Sequence, residues 1–307
     1  MASQKDIKSR IGSVKNIRKI TRAMEMVAAA RLRRAEQRIE ELRPYADAIR
    51  RLTRQAVSAA ESIPNLPILE EHDRENTVGL LLVTGDRGLA GGFNSQIIRA
   101  GNRRARDLET VHWYAVGRRG VSSVNFRGLE LAGGYTGFTD RPSYSDARHV
   151  ADELIQHYVD GELDRVEVIY NGYVSPMTQE VRHETLLPLQ KADVLGEDEG
   201  GEDGEATSGD EGDSDTPDHS RSLWIYEPDP EEILKRLAPD YVEISIYRAL
   251  LESTASEHGA RMTAMRNASK NAGDLIDRLT LEMNRARQAE ITQEILEVVA
   301  GADALEG

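Results

Sequence analysis

A chain of 307 residues holds enough material for one large domain or two ordinary ones. It contains no cysteine, which excludes disulfides, thiolate zinc sites and a cysteine nucleophile, and no window approaches the ~18 consecutive apolar residues of a membrane span. The net charge of −14 is mostly local: Glu197 to Asp218 holds 11 acids and no Lys or Arg, leaving −3 for the rest, while Met1 to Arg54 has 15 basic against 6 acidic residues.

Residues 1–60 read as one long helix. Pro44 and Gly12 are the only breakers between Ser3 and Ala59, and Ile7, Ile11, Val14, Ile17, Ile20, Met24 and Val27 recur at steps of 3 or 4. Such a helix spans roughly 85 Å, with Pro44 as the expected weak point. Small residues in "MVAAARLRRAEQR" allow another helix to approach closely.

Over 76–228 the period changes. "TVGLLLVTG" (Thr77 to Gly85), "TVHWYAVG" (Thr110 to Gly117) and "RVEVIYNGY" (Arg165 to Tyr173) are β-rich runs of the kind buried in parallel sheets. Helical patterns separate them at Asn94 to Leu108, Arg118 to Phe126 and Ser143 to Tyr158. This alternation predicts a doubly wound, Rossmann-like α/β insert. "TQEVRHETLLPL" and "SLWIYEP" read as two further strands, with the acid run at 196–220 as a solvated loop between them, since it cannot bury enough surface to offset chain entropy.

Residues 229–307 return to helix. Asp229, Pro230, Glu231 and Glu232 form an N-cap followed by proline and acids, and Asp240 with Glu243 resembles a capping box after Pro239. From there His258, Met262, Met265, Ala268, Ala272, Leu275, Leu279, Glu282 and Ala286 run as a narrow seam on a helix of about 60 residues, roughly 90 Å. Two terminal helices of this kind are expected to pair as an antiparallel coiled coil around the insert.

The motifs that would carry chemistry are incomplete. "TGDRGLAGGFNS" (Thr84 to Ser95) follows a strand and precedes a helix, where a nucleotide would bind, but contains neither G-x-x-x-x-G-K-[ST] nor G-x-G-x-x-G. A tight glycine turn is the favoured reading and residual phosphate affinity the alternative. The histidines at 72, 112, 149, 157, 183, 219 and 258 lack metal spacing, and no G-x-S-x-G elbow occurs. Catalytic residues, cofactor and metal are therefore all expected to be none. The basic first helix interleaves charge with apolar residues and carries no aromatic before Tyr45, which favours an acidic protein partner over nucleic acid.

"IKSRIGSVKNIRKITRAMEMVAAARLRRA" (Ile7 to Ala35), "TGDRGLAGGFNSQII" (Thr84 to Ile98), "ASEHGARMTAMRNASKNAGDLI" (Ala255 to Ile276) and "NRARQAEITQEILEVVAGADAL" (Asn284 to Leu305) closely resemble the hallmark stretches of the gamma subunits of F-type ATP synthases, the central rotor shaft. With "MTQEV", "LLPL" and "EPDPEEIL" the resemblance covers essentially the whole chain. It implies a shaft inside a ring of alpha and beta subunits. The insert sits at the foot with the epsilon subunit and the membrane c-ring, the chain does no chemistry of its own, and it meets the membrane only through the complex, at the cytoplasmic face of a bacterial cell.

Carried over by matching position, the resemblance sets Lys19, Arg22 and Met24 against the acidic lever of beta. It sets Arg261, Arg287, Gln288, Thr292 and Glu294 against its catch loops or in support of the shaft. Ile295, Leu296, Val298 and Val299 become an apolar bearing tip, and Tyr226 and Glu227 the foot on the c-ring. Chloroplast members carry a regulatory cysteine pair near the position of the acid run; this chain has none, which leaves control by charge or ionic strength as the expectation there. The competing readings are a nucleotide-binding α/β protein using Gly85 to Asn94, and a coiled-coil scaffold that spaces partners without turning.

Overall fold

The computed structural model describes residues 4–59, 67–69, 72, 76–189 and 230–306. The acid run at 196–220, the strand expected in "SLWIYEP", the cap at Asp229 and the foot residues Tyr226 and Glu227 lie outside them. The chain opens with helix α1 (Gln4–Ala59) and closes with helix α5 (Pro230–Glu306), of 56 and 77 residues.

Both helices run through their prolines. Pro44 lies inside α1 and Pro239 inside α5, so α5 does not restart at Asp240 and the capping box expected there is absent. A proline within a helix frees the carbonyl four residues earlier. Those carbonyls belong to Glu40 and Lys235, which are exposed, so water can satisfy them. Glu243 is instead buried, with Arg148 3.7 Å from its carboxylate.

Between the helices lies a five-stranded sheet in the order β3-β2-β1-β4-β5. Its strands are β1 (Thr77–Val83), β2 (Thr110–Val116), β3 (Leu131–Tyr135), β4 (Arg165–Tyr173) and β5 (Gln179–Leu187). β1 pairs in parallel with β2 and β4, β2 in parallel with β3, and β5 runs antiparallel to β4. The crossovers are α2 (Phe93–Arg104), α3 (Arg118–Phe126) and α4 (Tyr144–Val159). Strand β3, "LAGGY", is not among the expected strands. Its glycines are required by packing, since a Cβ on Gly133 would come 2.7 Å from the Tyr114 ring.

The two faces of the sheet are covered differently. Leu80, Leu82, Trp113 and Ile169 face α2 and α3 through Phe93, Ile97 and Val124. On the other face Leu81, Val83, Tyr114, Val168 and Tyr170 pack on α4 and on the first third of α5, through Val242, Ile246, Ala249 and Leu250. Helix α5 is thus itself a layer of the α/β domain. At the start of α4, Ser143 and Asp146 form a reciprocal capping box.

Candidate functional site: a braced shaft with an unpaired tip

The two terminal helices pair antiparallel. One apolar cluster joins Ile7 and Ile11 of α1 to Ile276 and Leu279 of α5, and another joins Ala28, Leu32 and Ala35 to Ala255 and Met262. Buried and half-buried positions on α5 follow an alternating 4-and-3 step: Leu251, Ala255, His258, Met262, Met265, Ser269, Ala272, Ile276, Leu279, Met283 and Ala286. That is a heptad seam, and it corrects the expected one. Ile276 and Met283 occupy it, while Leu275 is exposed.

α1 answers with Ile7, Ile11, Val14, Thr21, Glu25, Ala28, Leu32, Ala35 and Ile39 in the same rhythm, broken once at the exposed Arg18. Ile17, Ile20 and Val27, expected in the stripe, lie outside it and are exposed. They give α1 a second apolar strip that the other described residues leave uncovered. Across the seam Arg266 Nε donates to Glu25 at 2.9 Å.

Where the helices meet the sheet, ion pairs and hydrogen bonds flank the apolar packing. Arg248 donates to Glu184 at 2.6 Å, Tyr170 donates to the same carboxylate at 2.7 Å, and Arg182 donates to Glu252 at 2.9 Å. Arg31 of α1 reaches Asp140 at 2.9 Å, and the Tyr173 hydroxyl donates to Glu36. Thr254 Oγ1 donates to the Thr139 carbonyl at 3.0 Å, and Ser253 Oγ to the Val83 carbonyl at 3.4 Å. Both terminal helices are therefore fastened to the C-terminal ends of the strands.

That end of the sheet is also where the glycine turn lies. The Asp86 carboxylate accepts from the amides of Arg118 and Gly137 at 3.0 and 2.9 Å and from Thr139 Oγ1 at 2.9 Å, tying together the loops after β1, β2 and β3. Gly85 N–H donates to Asn94 Oδ1 at 2.9 Å. Gly117, at φ 89, lies so close to the turn that a Cβ would come 2.2 Å from the Thr84 carbonyl oxygen.

The crevice at the β1–β4 switch point, where doubly wound sheets bind ligands, is filled by α5. Glu257 packs its carboxylate against Gly85 and accepts from Arg261 one turn further on. Arg261 also donates to the Gly88 carbonyl at 3.4 Å and to His258 Nδ1 at 3.3 Å. Burial pushes the Glu257 carboxyl up against the opposing pull of Arg261. Burial, helped by the Arg261 charge, holds His258 down to about 4, so its ring is neutral at pH 7. A phosphate beside Gly85 would meet the carboxylates of Asp86 and Glu257, and the Gly85 amide is already taken by Asn94. The geometry therefore supports the tight-turn reading of Thr84 to Ser95 over the nucleotide reading. Among the described residues no group of three His, Asp or Glu could hold a metal ion.

The remaining expected contact residues fall into three sets. Arg261 is buried at this junction, braced within the chain. Lys19 and Arg22 are exposed beside Ile20, with Met24 half-buried. Every residue from 287 to 301 is exposed, which includes Arg287, Gln288, Thr292, Glu294 and the apolar Ile291, Ile295, Leu296, Val298 and Val299. The cause is length: among the described residues the Ile7–Ile11 end of α1 packs no further along α5 than Ala286, and α5 runs on for about 20 residues more, about 30 Å of helix.

Of this brace, Arg261 is among the expected residues, whereas Glu257 and its pairing with Arg261 are not. Its signal is the acid-to-base spacing of four in "EHGAR", which places the pair one above the other on a helix. No described helix is long and apolar enough to cross a membrane.

Comparison with known proteins follows the same outline. The ATP synthase family model matches residues 3–305. The ATP synthase gamma chain of Rubrobacter xylanophilus is 42% identical over 306 residues, covering 99% of both chains. That of Moorella thermoacetica is 43% identical, covering 99% of this chain and 100% of its own. Among solved structures, a chain of the Euglena gracilis mitochondrial ATP synthase in the OSCP/F1/c-ring assembly superposes with a TM-score of 0.64 at 18% identity, over 98% of this chain and 94% of that one. A chain from the Tetrahymena thermophila mitochondrial central stalk and c-ring gives 0.58 at 24% identity, over 81% and 99%. With its antiparallel shaft, its α/β layer built on the shaft helix and relatives matched end to end, the chain belongs to the ATP synthase gamma-chain family.

Proposed function

We propose that the chain works as the central rotary shaft of its ATP synthase and performs no chemistry itself. Its overhanging tip stands in the collar of alternating alpha and beta subunits. Its α/β domain couples to the epsilon subunit and the c-ring, and the complex holds it at the cytoplasmic face of the membrane. An asymmetric rod inside a threefold collar touches each beta subunit differently. Each site is thereby biased towards a different nucleotide affinity, and rotation moves that bias from site to site.

The observation that carries this reading is the tip. About 30 Å of α5 exposes Ile295, Leu296, Val298 and Val299 with no partner among the described residues, while the helix behind it is locked to the sheet by ion pairs. Lys19, Arg22 and Met24 offer a basic, partly apolar face suited to an acidic lever on beta. Arg287, Gln288, Thr292 and Glu294 offer polar grips next to the apolar tip. Arg261 acts from inside, as a brace that fixes the shaft to the glycine turn. Tyr226 and Glu227 serve as the foot on the c-ring.

Because the chain has no cysteine, a single Met24→Cys substitution provides a clean cross-linking handle against a cysteine placed in the acidic segment of beta. Oxidation of the assembled complex is expected to abolish ATP hydrolysis and reduction to restore it. A complete cross-link with hydrolysis undiminished would refute a turning shaft and favour a fixed scaffold.

A further inference from the structure

Beside the anchor, where α1 passes the loop between β3 and α4, lies a pocket of about 140 Å³ whose lining includes Arg31, Arg34, Arg38, Arg141, Asp140 and His258. Four guanidinium groups face one carboxylate, and that carboxylate is already engaged by Arg31 at 2.9 Å and approached by Arg87 at 3.7 Å. His258 adds no negative charge. Arg34, Arg38 and Arg141 have no ion pair among the described residues. Arg31, Arg34 and Arg38 stand at spacings of 3 and 4, so they share one face of α1, where like charges repel rather than stabilise the helix. Folding alone gives no reason to gather these charges around a concavity, whereas an anion does.

Arg38 and Arg141 also line a second, more open hollow of about 610 Å³, which contains Tyr45, Tyr144, Tyr247 and Pro142, with Glu41 as the one acid among its lining residues. Tyr144 and Tyr247 meet edge to face at 5.8 Å. One end of the combined site is thus cationic and fork-shaped, the other aromatic, and two arginines belong to both. We propose that this corner binds a nucleoside polyphosphate, with its phosphates on Arg34, Arg38 and Arg141 and its base in the tyrosine hollow. The site is separate from the glycine turn, whose crevice is filled by Glu257. It stands whether or not the shaft turns.

The test is calorimetric titration of the 307-residue chain, and of the same chain lacking residues 197–218 so that those acids cannot compete, with ADP, pyrophosphate, adenosine and a poly-glutamate peptide. ADP is expected to saturate one site per chain, more tightly than pyrophosphate and far more tightly than adenosine. Arg38→Glu with Arg141→Glu is expected to weaken ADP by roughly tenfold or more, the loss of at least one charge-assisted bond. Tyr45→Ala is expected to weaken ADP several-fold and leave pyrophosphate unchanged. Arg141 and Tyr45 are exposed and Arg38 is half-buried, and circular dichroism checks that both variants are folded. The proposal is overturned by no saturable ADP binding to either chain, by pyrophosphate binding as tightly as ADP, or by parent-like ADP affinity in the arginine variant. Tight binding of poly-glutamate without binding of ADP would identify a dock for an acidic peptide instead.

Discussion

Glu257 of the shaft helix and Gly85 of the turn after β1 are in direct contact: a Cβ built on Gly85 would come 2.7 Å from the carboxylate carbon of Glu257. The carboxylate is held from the other side by Arg261, so it cannot swing away without breaking a buried ion pair. Gly85→Ala is therefore expected to destabilise the chain by about 1–3 kcal/mol, the usual cost of overpacking. Gly92, whose added Cβ would meet only the end of the Gln96 side chain at 3.4 Å, is expected to accept alanine within about 0.5 kcal/mol. Urea unfolding of the two variants checks the contrast; equal midpoints would show that the contact does not constrain the turn.

His258 makes stability depend on pH with a definite sign. Its pKa falls from the ordinary 6.5 to about 4 because burial, aided by the nearby Arg261 charge, disfavours the imidazolium. Above pH 6.5 the ring is neutral in both states and its contribution is fully present. As pH drops from 6.5 towards 4 the unfolded chain binds a proton that the folded chain excludes, so stability is lost, by up to about 3 kcal/mol. Glu257 works in the opposite direction, since its raised pKa favours the folded state as pH falls through it. The comparison is thus between the parent and His258→Gln. The variant is expected to show a shallower loss between pH 6.5 and 4, and identical slopes would contradict the assignment.

Glu167, 1% exposed, is held by Arg104 through two hydrogen bonds of 2.8 and 2.7 Å and by His183 at 2.7 Å. Burial alone would raise its carboxyl, but these partners prevail and hold it down to about 2. Arg104→Ala leaves a buried carboxylate short of partners. It is expected to cost about 3 kcal/mol, the low end for a broken buried pair because the guanidinium is partly solvated. Adding Glu167→Leu to that variant should recover much of the loss. A double variant no better than the single one would mean that the pair is not what the site requires.

The two apolar faces of α1 should separate in their effects. Leu32, buried in the seam, is expected to cost about 2–3 kcal/mol on truncation to alanine. Ile20, exposed, should change the isolated chain by less than about 0.5 kcal/mol while weakening assembly with alpha and beta. An Ile20→Ala variant that unfolds as readily as Leu32→Ala would place Ile20 in the core.

The periodicity of the sequence told helix from strand well and helix phase less well. "TVGLLLVTG" and "RVEVIYNGY" are continuous apolar runs because both their faces are covered, and they stand at the centre of the sheet. The stripe Ile7, Ile11, Val14, Ile17, Ile20 merges two faces, since steps of 3 and 4 suit the intramolecular seam and the uncovered strip alike until burial separates them. Pro44 and Pro239 look like breakers in a string of letters, yet the helix continues through both, and the carbonyls they free, of Glu40 and Lys235, are open to water. β3 was missed because close packing against Tyr114 selects glycine, the residue that carries no strand signal. Within the site, the exposed tip was legible as a mixed polar and apolar run. The buried brace was not, because the fit of Glu257 to Gly85 depends on residues 172 positions apart that only the folded sheet brings together.

The central claim is that this chain turns. Its most direct test is to assemble it with alpha and beta subunits, fix a bead to the α/β domain and record the bead during ATP hydrolysis. Unidirectional rotation in three equal steps per turn is expected. An immobile bead in a preparation that hydrolyses ATP at its full rate would contradict it.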